Sequence, residues 1–187
     1  MSATRDYLAL DLGASGGRAI VGRFDGERLA LEEVHRFPNG PVALPHSGGT
    51  SLHWNILDLF HQIKQGIAQA TSLSRGSLVS LGLDTWGVDF GLLDRDGRLL
   101  GNPYHYGDNR TEGMLQEAFR RVPREEIFMA TGIQFMQINS LYQLLSMVVR
   151  QDSLLPVAGT LLFAPDLLNY WLTGRKVSER SIAATSQ

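Results

Sequence analysis

Near the amino terminus, a glycine-rich octet, Asp11-Leu12-Gly13-Ala14-Ser15-Gly16-Gly17-Arg18, lies between two short apolar runs. Tyr7-Leu8-Ala9-Leu10 leads into it, and Ala19-Ile20-Val21-Gly22-Arg23-Phe24 follows. Both runs read as strands, and the second has no helical period. The glycines are therefore predicted at the tip of a hairpin, which commits the start of the chain to antiparallel sheet. A phosphate loop of the strand-to-helix type would open a helix here and end in Gly-Lys-Ser/Thr, and this chain does neither. Glycine tolerates positive φ and lets backbone N–H groups converge, and such a nest attracts phosphate oxygens. Asp11 ends the first strand as an oxygen ligand for Mg²⁺, Ser15 offers a hydrogen bond and Arg18 a positive charge. The octet is predicted to hold the phosphates of Mg-ATP. The alternative is a hairpin turn that Asp11 merely caps.

Bulk properties narrow the partners. Seventeen basic against 19 acidic residues, a net charge of −2, give no electrostatic case for nucleic acid or an anionic membrane. The absence of cysteine excludes disulfides, thiolate metal sites and thiol catalysis. No basic segment followed by an apolar one opens the chain, and no run approaches the roughly 18 apolar residues of a membrane span. The expected location is cytoplasmic. A chain of 187 residues can bury the core of one domain.

Asp25-Gly26 marks a turn, after which Leu29-Ala30-Leu31 and Val34-His35-Arg36-Phe37 form a third strand of a meander. Pro38 to Thr50 reads as a loop closed by Leu52-His53-Trp54. Ile56, Leu59, Phe60, Ile63 and Ile67 recur at helical spacing behind Asn55, and Arg75-Gly76 ends that helix. The segment Leu78 to Asp94 repeats the opening logic: an apolar strand, Asp84 at its end, Gly87 in a tight turn, then a second apolar strand. A buried strand parallel to the first would bring Asp84 to the same sheet edge as Asp11, where ligands of open α/β sheets bind. Helices are predicted around Met114–Phe119, over residues 124–130 and around Leu141–Val148, with Gly132 stopping the second of them. Leu161-Leu162-Phe163 is a short strand, and Pro165-Asp166 opens a helix that Gly174 ends. The tail from Ser178 to Gln187 reads as small and polar. The predicted fold class is α/β: a mixed sheet with an antiparallel three-strand meander and flanking helices.

These residues resemble the carbohydrate kinases named for their FGGY signature, within the actin-like, ribonuclease-H-like ATPase superfamily, and most of all its rhamnulokinase branch. Asp11 to Arg18 resembles the family's first phosphate motif, and Leu83-Asp84-Thr85-Trp86-Gly87-Val88-Asp89-Phe90 is similar to its most distinctive sugar-side segment. His35-Arg36-Phe37, Trp54, Gly132-Ile133-Gln134-Phe135, Asn139, Leu141-Tyr142-Gln143-Leu144, Pro165-Asp166, Leu172-Thr173-Gly174 and Ala183 to Gln187 follow in the family's order. The resemblance implies ATP contacts at Ala14, Ser15, Gly16, Gly17 and Arg18, sugar contact at Gly87 with Trp86 beside it, metal at Asp11, and a supporting role for Asp84. The implied reaction is transfer of the γ-phosphoryl of Mg-ATP to the C1 hydroxyl of L-rhamnulose.

Two departures stand out. Gly107-Asp108-Asn109-Arg110 replaces the family's usual Arg-Asp-x-Arg, which removes a cation, and Asn55 follows Trp54 where Asp is usual. Family members are more than twice as long, with the catalytic Asp and the adenine pocket in segments that would follow Gln187. Residues 1–187 are therefore expected to be the amino-terminal kinase domain, with a carboxy-terminal domain as the intramolecular partner. Alone, the chain is expected to be inactive and prone to self-association. The competing readings are a non-catalytic nucleotide-binding module or remnant of the superfamily, and a kinase for another ketose.

Overall fold

The computed structural model describes residues 4–74 and 78–187. In chain order the elements are β1 (Arg5–Leu12), β2 (Gly16–Phe24), β3 (Leu29–Pro38), β4 (Pro41–His46), β5 (Gly49–Trp54), α1 (Ile56–Ser74), β6 (Leu78–Thr85) and β7 (Phe90–Leu93), followed by α2 (Met114–Arg121), α3 (Arg124–Thr131), α4 (Ser140–Val149), β8 (Thr160–Phe163), α5 (Ala164–Thr173) and α6 (Arg180–Ala183). They form two compact units: Met1–Gly40 with Asn55–Trp86, and Pro41–Trp54 with Gly87–Gln187.

The first unit is a four-stranded sheet in the order β3-β2-β1-β6. β1, β2 and β3 make the predicted antiparallel meander, and β6 runs parallel to β1. Strand alternation puts Asp6, Leu8, Leu10 and Leu12 on the buried face of β1. Helix α1 covers that face through Ile56, Leu59, Ile63, Gly66 and Ala70, a stripe at helical period. Gly66 is a packing requirement, because a Cβ there would lie 2.7 Å from Ala19 Cβ. At the β2–β3 turn, Asp25 Oδ1 accepts the backbone N–H groups of Glu27 and Arg28. The predicted helix stop at Arg75-Gly76 lies outside the described residues.

In the second unit, β4 and β5 form a hairpin and β7 pairs antiparallel with β8. One core cluster joins Phe90, Leu92, Met147 and Phe163, and another joins Ala118 of α2, Ile127 of α3 and Tyr142 of α4. The predicted stops hold: Gly132 and Gly174 cap α3 and α5 in the left-handed region, at φ 66° and 72°.

Three expectations are corrected. Pro38 to Thr50 is not a loop, because most of it belongs to the β4–β5 hairpin. Its prolines and glycines masked an alternation that the fold satisfies by pairing Val42 with His53 and Leu44 with Ser51. The polar tail contains α6, whose first turn is capped by the Glu179 carboxylate accepting from the N–H groups of Ser181 and Ile182. And β6, expected to be buried, is an edge strand with Val79 57% exposed.

Candidate functional site

In the first unit the hairpin tip between β1 and β2 is short. Gly13 donates its N–H to the Gly16 carbonyl at 2.9 Å, and Gly16, Gly17 and Arg18 already belong to the β2 ladder. Among the described residues, the N–H groups of Ala14 and Ser15 donate no hydrogen bond, and both residues are exposed. Asn39, which the sequence reading did not single out, fastens this tip. Its side-chain amide donates to the Gly13 carbonyl at 2.8 Å, and its backbone N–H donates to the Ser15 carbonyl at 3.3 Å.

The glycines do a different job from the one expected. None of Gly13, Gly16 or Gly17 has positive φ. Gly17 is buried, and a Cβ there would lie 2.2 Å from Phe37 Cζ and 3.0 Å from Leu12 Cδ2. It admits the Phe37 ring beneath the tip and does not shape a nest of its own. The donor surface is thus two adjacent amides, not the whole octet.

Asp11 and Asp84 occupy paired positions on β1 and β6. Paired residues on adjacent strands project from the same face about 4.8 Å apart, so the fold brings the two predicted carboxylates together. The Asp11 side chain is 42% exposed and accepts a charged hydrogen bond from Arg18 Nη2, its partner across β1 and β2. Two accessible carboxylates fit Mg²⁺, which binds through one or two acids and keeps several waters. Among the described residues no group of three or more His, Asp or Glu side chains is gathered to hold a metal by itself. Trp86 is half-buried at the end of this unit, and its carbonyl accepts from the Thr85 hydroxyl at 2.8 Å.

Gly87 belongs to the second unit. A Cβ at Gly87 would lie 3.2 Å from Thr185 Oγ1, so the carboxy-terminal segment packs directly on this turn. Asp89, expected to satisfy backbone donors, does so and more. Its Oδ2 accepts from Trp54 Nε1 at 2.6 Å and from the Tyr106 N–H at 3.1 Å, and its Oδ1 accepts from Gln143 Nε2 at 2.8 Å. Gln143 also accepts from Arg110 Nη2 at 2.6 Å. Arg110 is 5% exposed and stacks on Tyr104, and burial pushes its guanidinium pKa down. It anchors α4, and Asp108 caps the 3₁₀ turn at Asn109–Thr111 by accepting the Arg110 N–H. His53 and His105 are packing groups: His53 bonds the Asn102 carbonyl, and His105 stacks between Trp54 and Tyr106. Burial lowers the His105 pKa. A cavity of about 590 Å³ lined by Arg124, Phe128 and Phe135 contains none of the candidate residues.

Thr185, Ser140 and Gln143 are the residues around Gly87 that motif reading left without a role. Thr185 and Gln143 lie in runs with a family likeness, and Ser140 stands between two of them.

Comparison with known proteins agrees with this architecture. Residues 6–187 match the family described as "FGGY family of carbohydrate kinases, N-terminal domain". The chain is 43% identical over 183 residues to the rhamnulokinase of Bacteroides thetaiotaomicron and 41% identical over 180 residues to that of Oceanobacillus iheyensis. These alignments cover 98% and 96% of this chain, which spans 37% of each relative's length. The fold superposes on a xylulose kinase from Lactobacillus acidophilus with a TM-score of 0.81 at 18% identity, over 97% of this chain and 36% of that one. With its mixed α/β architecture and a family match running from Asp6 to the final residue, the chain belongs to the FGGY family of carbohydrate kinases.

Proposed function

We propose that this chain supplies the phosphate-side and sugar-side elements of an ATP-dependent kinase that phosphorylates L-rhamnulose at its C1 hydroxyl. The observation that carries the reading is the pairing of Asp11 with Asp84 beside two unspent amides. The choice of ketose is supported by the name that two relatives above 40% identity carry.

Phosphoryl transfer asks a protein mainly to position groups and neutralise charge. The N–H groups of Ala14 and Ser15 bind phosphate oxygens. Gly17 leaves room for the Phe37 ring that supports the tip, and Arg18 turns from Asp11 towards the added negative charge. Asp11, supported by Asp84, holds Mg²⁺, which when bound offsets charge on the phosphate oxygens. Gly87 contacts the sugar, with Trp86 beside it. The base that takes the sugar proton is assigned to no residue of this chain, so the 187 residues alone are expected to give no turnover.

The test is a coupled assay on the product of the complete reading frame with L-rhamnulose, L-ribulose, D-xylulose and glycerol, each with Mg-ATP. The highest kcat/KM is expected for L-rhamnulose. A higher value for another polyol moves the substrate, and no turnover of any of them removes the kinase reading in favour of a nucleotide-binding module.

A further inference from the structure

The turn that carries Gly87 is strained at the following residue. Val88 has φ 67°, in the left-handed region that β-branched residues avoid. The Asp89 N–H donates to the Gly87 carbonyl at 2.9 Å, which closes a three-residue turn around Val88. With positive φ at its centre, this is the rare and strained form of that turn.

Such a conformation persists only where its surroundings over-determine it, and ligand clamps are where it recurs. Here the surroundings can be named. The Val88 carbonyl accepts from Ser140 Oγ at 2.5 Å and from Gln143 Nε2 at 3.4 Å. Gln143 Nε2 also holds Asp89 Oδ1 and the Ile138 carbonyl, each at 2.8 Å. The Ala164 N–H donates to the Asp89 carbonyl at 2.9 Å, which ties the far side of the turn to α5. Ser140 and Gln143 are 2% and 1% exposed, so neither bond competes with solvent. Thr185 lies against Gly87 from the carboxy-terminal segment. The turn is gripped from α4, from α5 and from the tail, while Gly87 itself has no side chain to hold it.

We propose that Ser140 and Gln143 are positioning residues for the ketose: they keep the Val88 turn in its strained form, so that Gly87 is in place before the sugar arrives. The proposal rests on the reading that Gly87 contacts the sugar. A turn released from this grip relaxes towards ordinary backbone angles, and ketose binding must then drive it back. Because the Ser140 hydroxyl, among the described residues, hydrogen-bonds to the turn alone, its loss should act on the sugar and leave the nucleotide side alone.

The test uses the product of the complete reading frame. Ser140→Ala is expected to raise the KM for ketose about tenfold, near 1.4 kcal/mol, with the KM for ATP unchanged. Ser140→Thr, which restores a hydroxyl, is expected to return most of that loss. Val88→Gly accepts positive φ without strain but removes the stiffness of the turn. It is expected to raise the ketose KM likewise and to speed hydrogen exchange at the Asp89 N–H. Gly87→Ala serves as the reference for the reading beneath the proposal. If Gly87→Ala raises the ketose KM while a folded Ser140→Ala enzyme and the Val88→Gly enzyme keep the parent value, the proposal is overturned and the reading of Gly87 stands. A parallel rise in the KM for ATP marks general loosening and also overturns it. If Gly87→Ala leaves the ketose KM unaltered, the reading of Gly87 falls and the proposal falls with it.

Discussion

Gly17 shows how a residue can be noticed for one reason and needed for another. In the sequence it belongs to a glycine-rich octet, and its obvious use is to open backbone amides to an anion. In the fold it lies under the Phe37 ring, with no room for a Cβ. Gly17→Ala is therefore expected to destabilise the protein by about 1–3 kcal/mol through overpacking, read as a lower midpoint in denaturant. Phe37→Leu in the same chain is expected to recover part of the loss. An unchanged midpoint for Gly17→Ala would show that the ring gives way freely. Asp89 teaches the same lesson: one carboxylate organises an indole, a backbone amide and a carboxamide from three separate stretches. Its partners lie 17 to 54 positions away in the chain, beyond any motif window.

Elements defined by local chemistry are legible in the sequence. The meander, the α1 stripe and the glycine stops of α3 and α5 follow from alternation, helical period and left-handed caps, each set by a few consecutive residues. The β4–β5 hairpin was not legible, because Pro41, Pro45 and three glycines read as loop until Val42 and Leu44 find partners. α6 was missed for a related reason. Its four residues form around a cap, with Glu179 accepting from Ser181 Oγ and from two backbone N–H groups. Those bonds favour the ionised carboxylate and hold the Glu179 pKa down to about 2, against an ordinary 4.5. A carboxyl depressed on folding adds its stabilisation above the unfolded pKa and loses it as pH falls through the folded one. The cap is thus expected to be intact above pH 4.5 and to fail between there and about pH 2. Protection of the Ser181 and Ile182 amides, taken relative to the intrinsic exchange rate at each pH, should fall over that range, and in Glu179→Gln the acid step should be missing. Protection that does not respond to pH in the parent would remove the cap from the account of α6.

At the scale of the whole molecule, each unit has its own core, and the sheet of the first presents two edges among the described residues, β3 and β6. Leu29 and Leu31 on β3 are 60% and 69% exposed, and Val79 lies on β6. Exposed strand edges with apolar side chains template pairing with another chain. Light scattering on the 187-residue protein is expected to show mass rising with concentration, and Val79→Lys to reduce it; a monomer throughout would discount both edges. Family membership was readable early because phosphate-side and sugar-side residues recur in order along the chain. By itself the sequence determined the meander, α1 and the glycine stops of α3 and α5, and put an acid at the end of β1 and of β6, since such features depend on neighbours within a turn or a pleat. Only the tertiary structure decided that two amides remain unspent, that Arg18 holds Asp11, that Phe37 claims the space over Gly17 and that Val88 is held at positive φ. Each of those outcomes is a contest between groups far apart in the chain, and close packing settles it only once they meet.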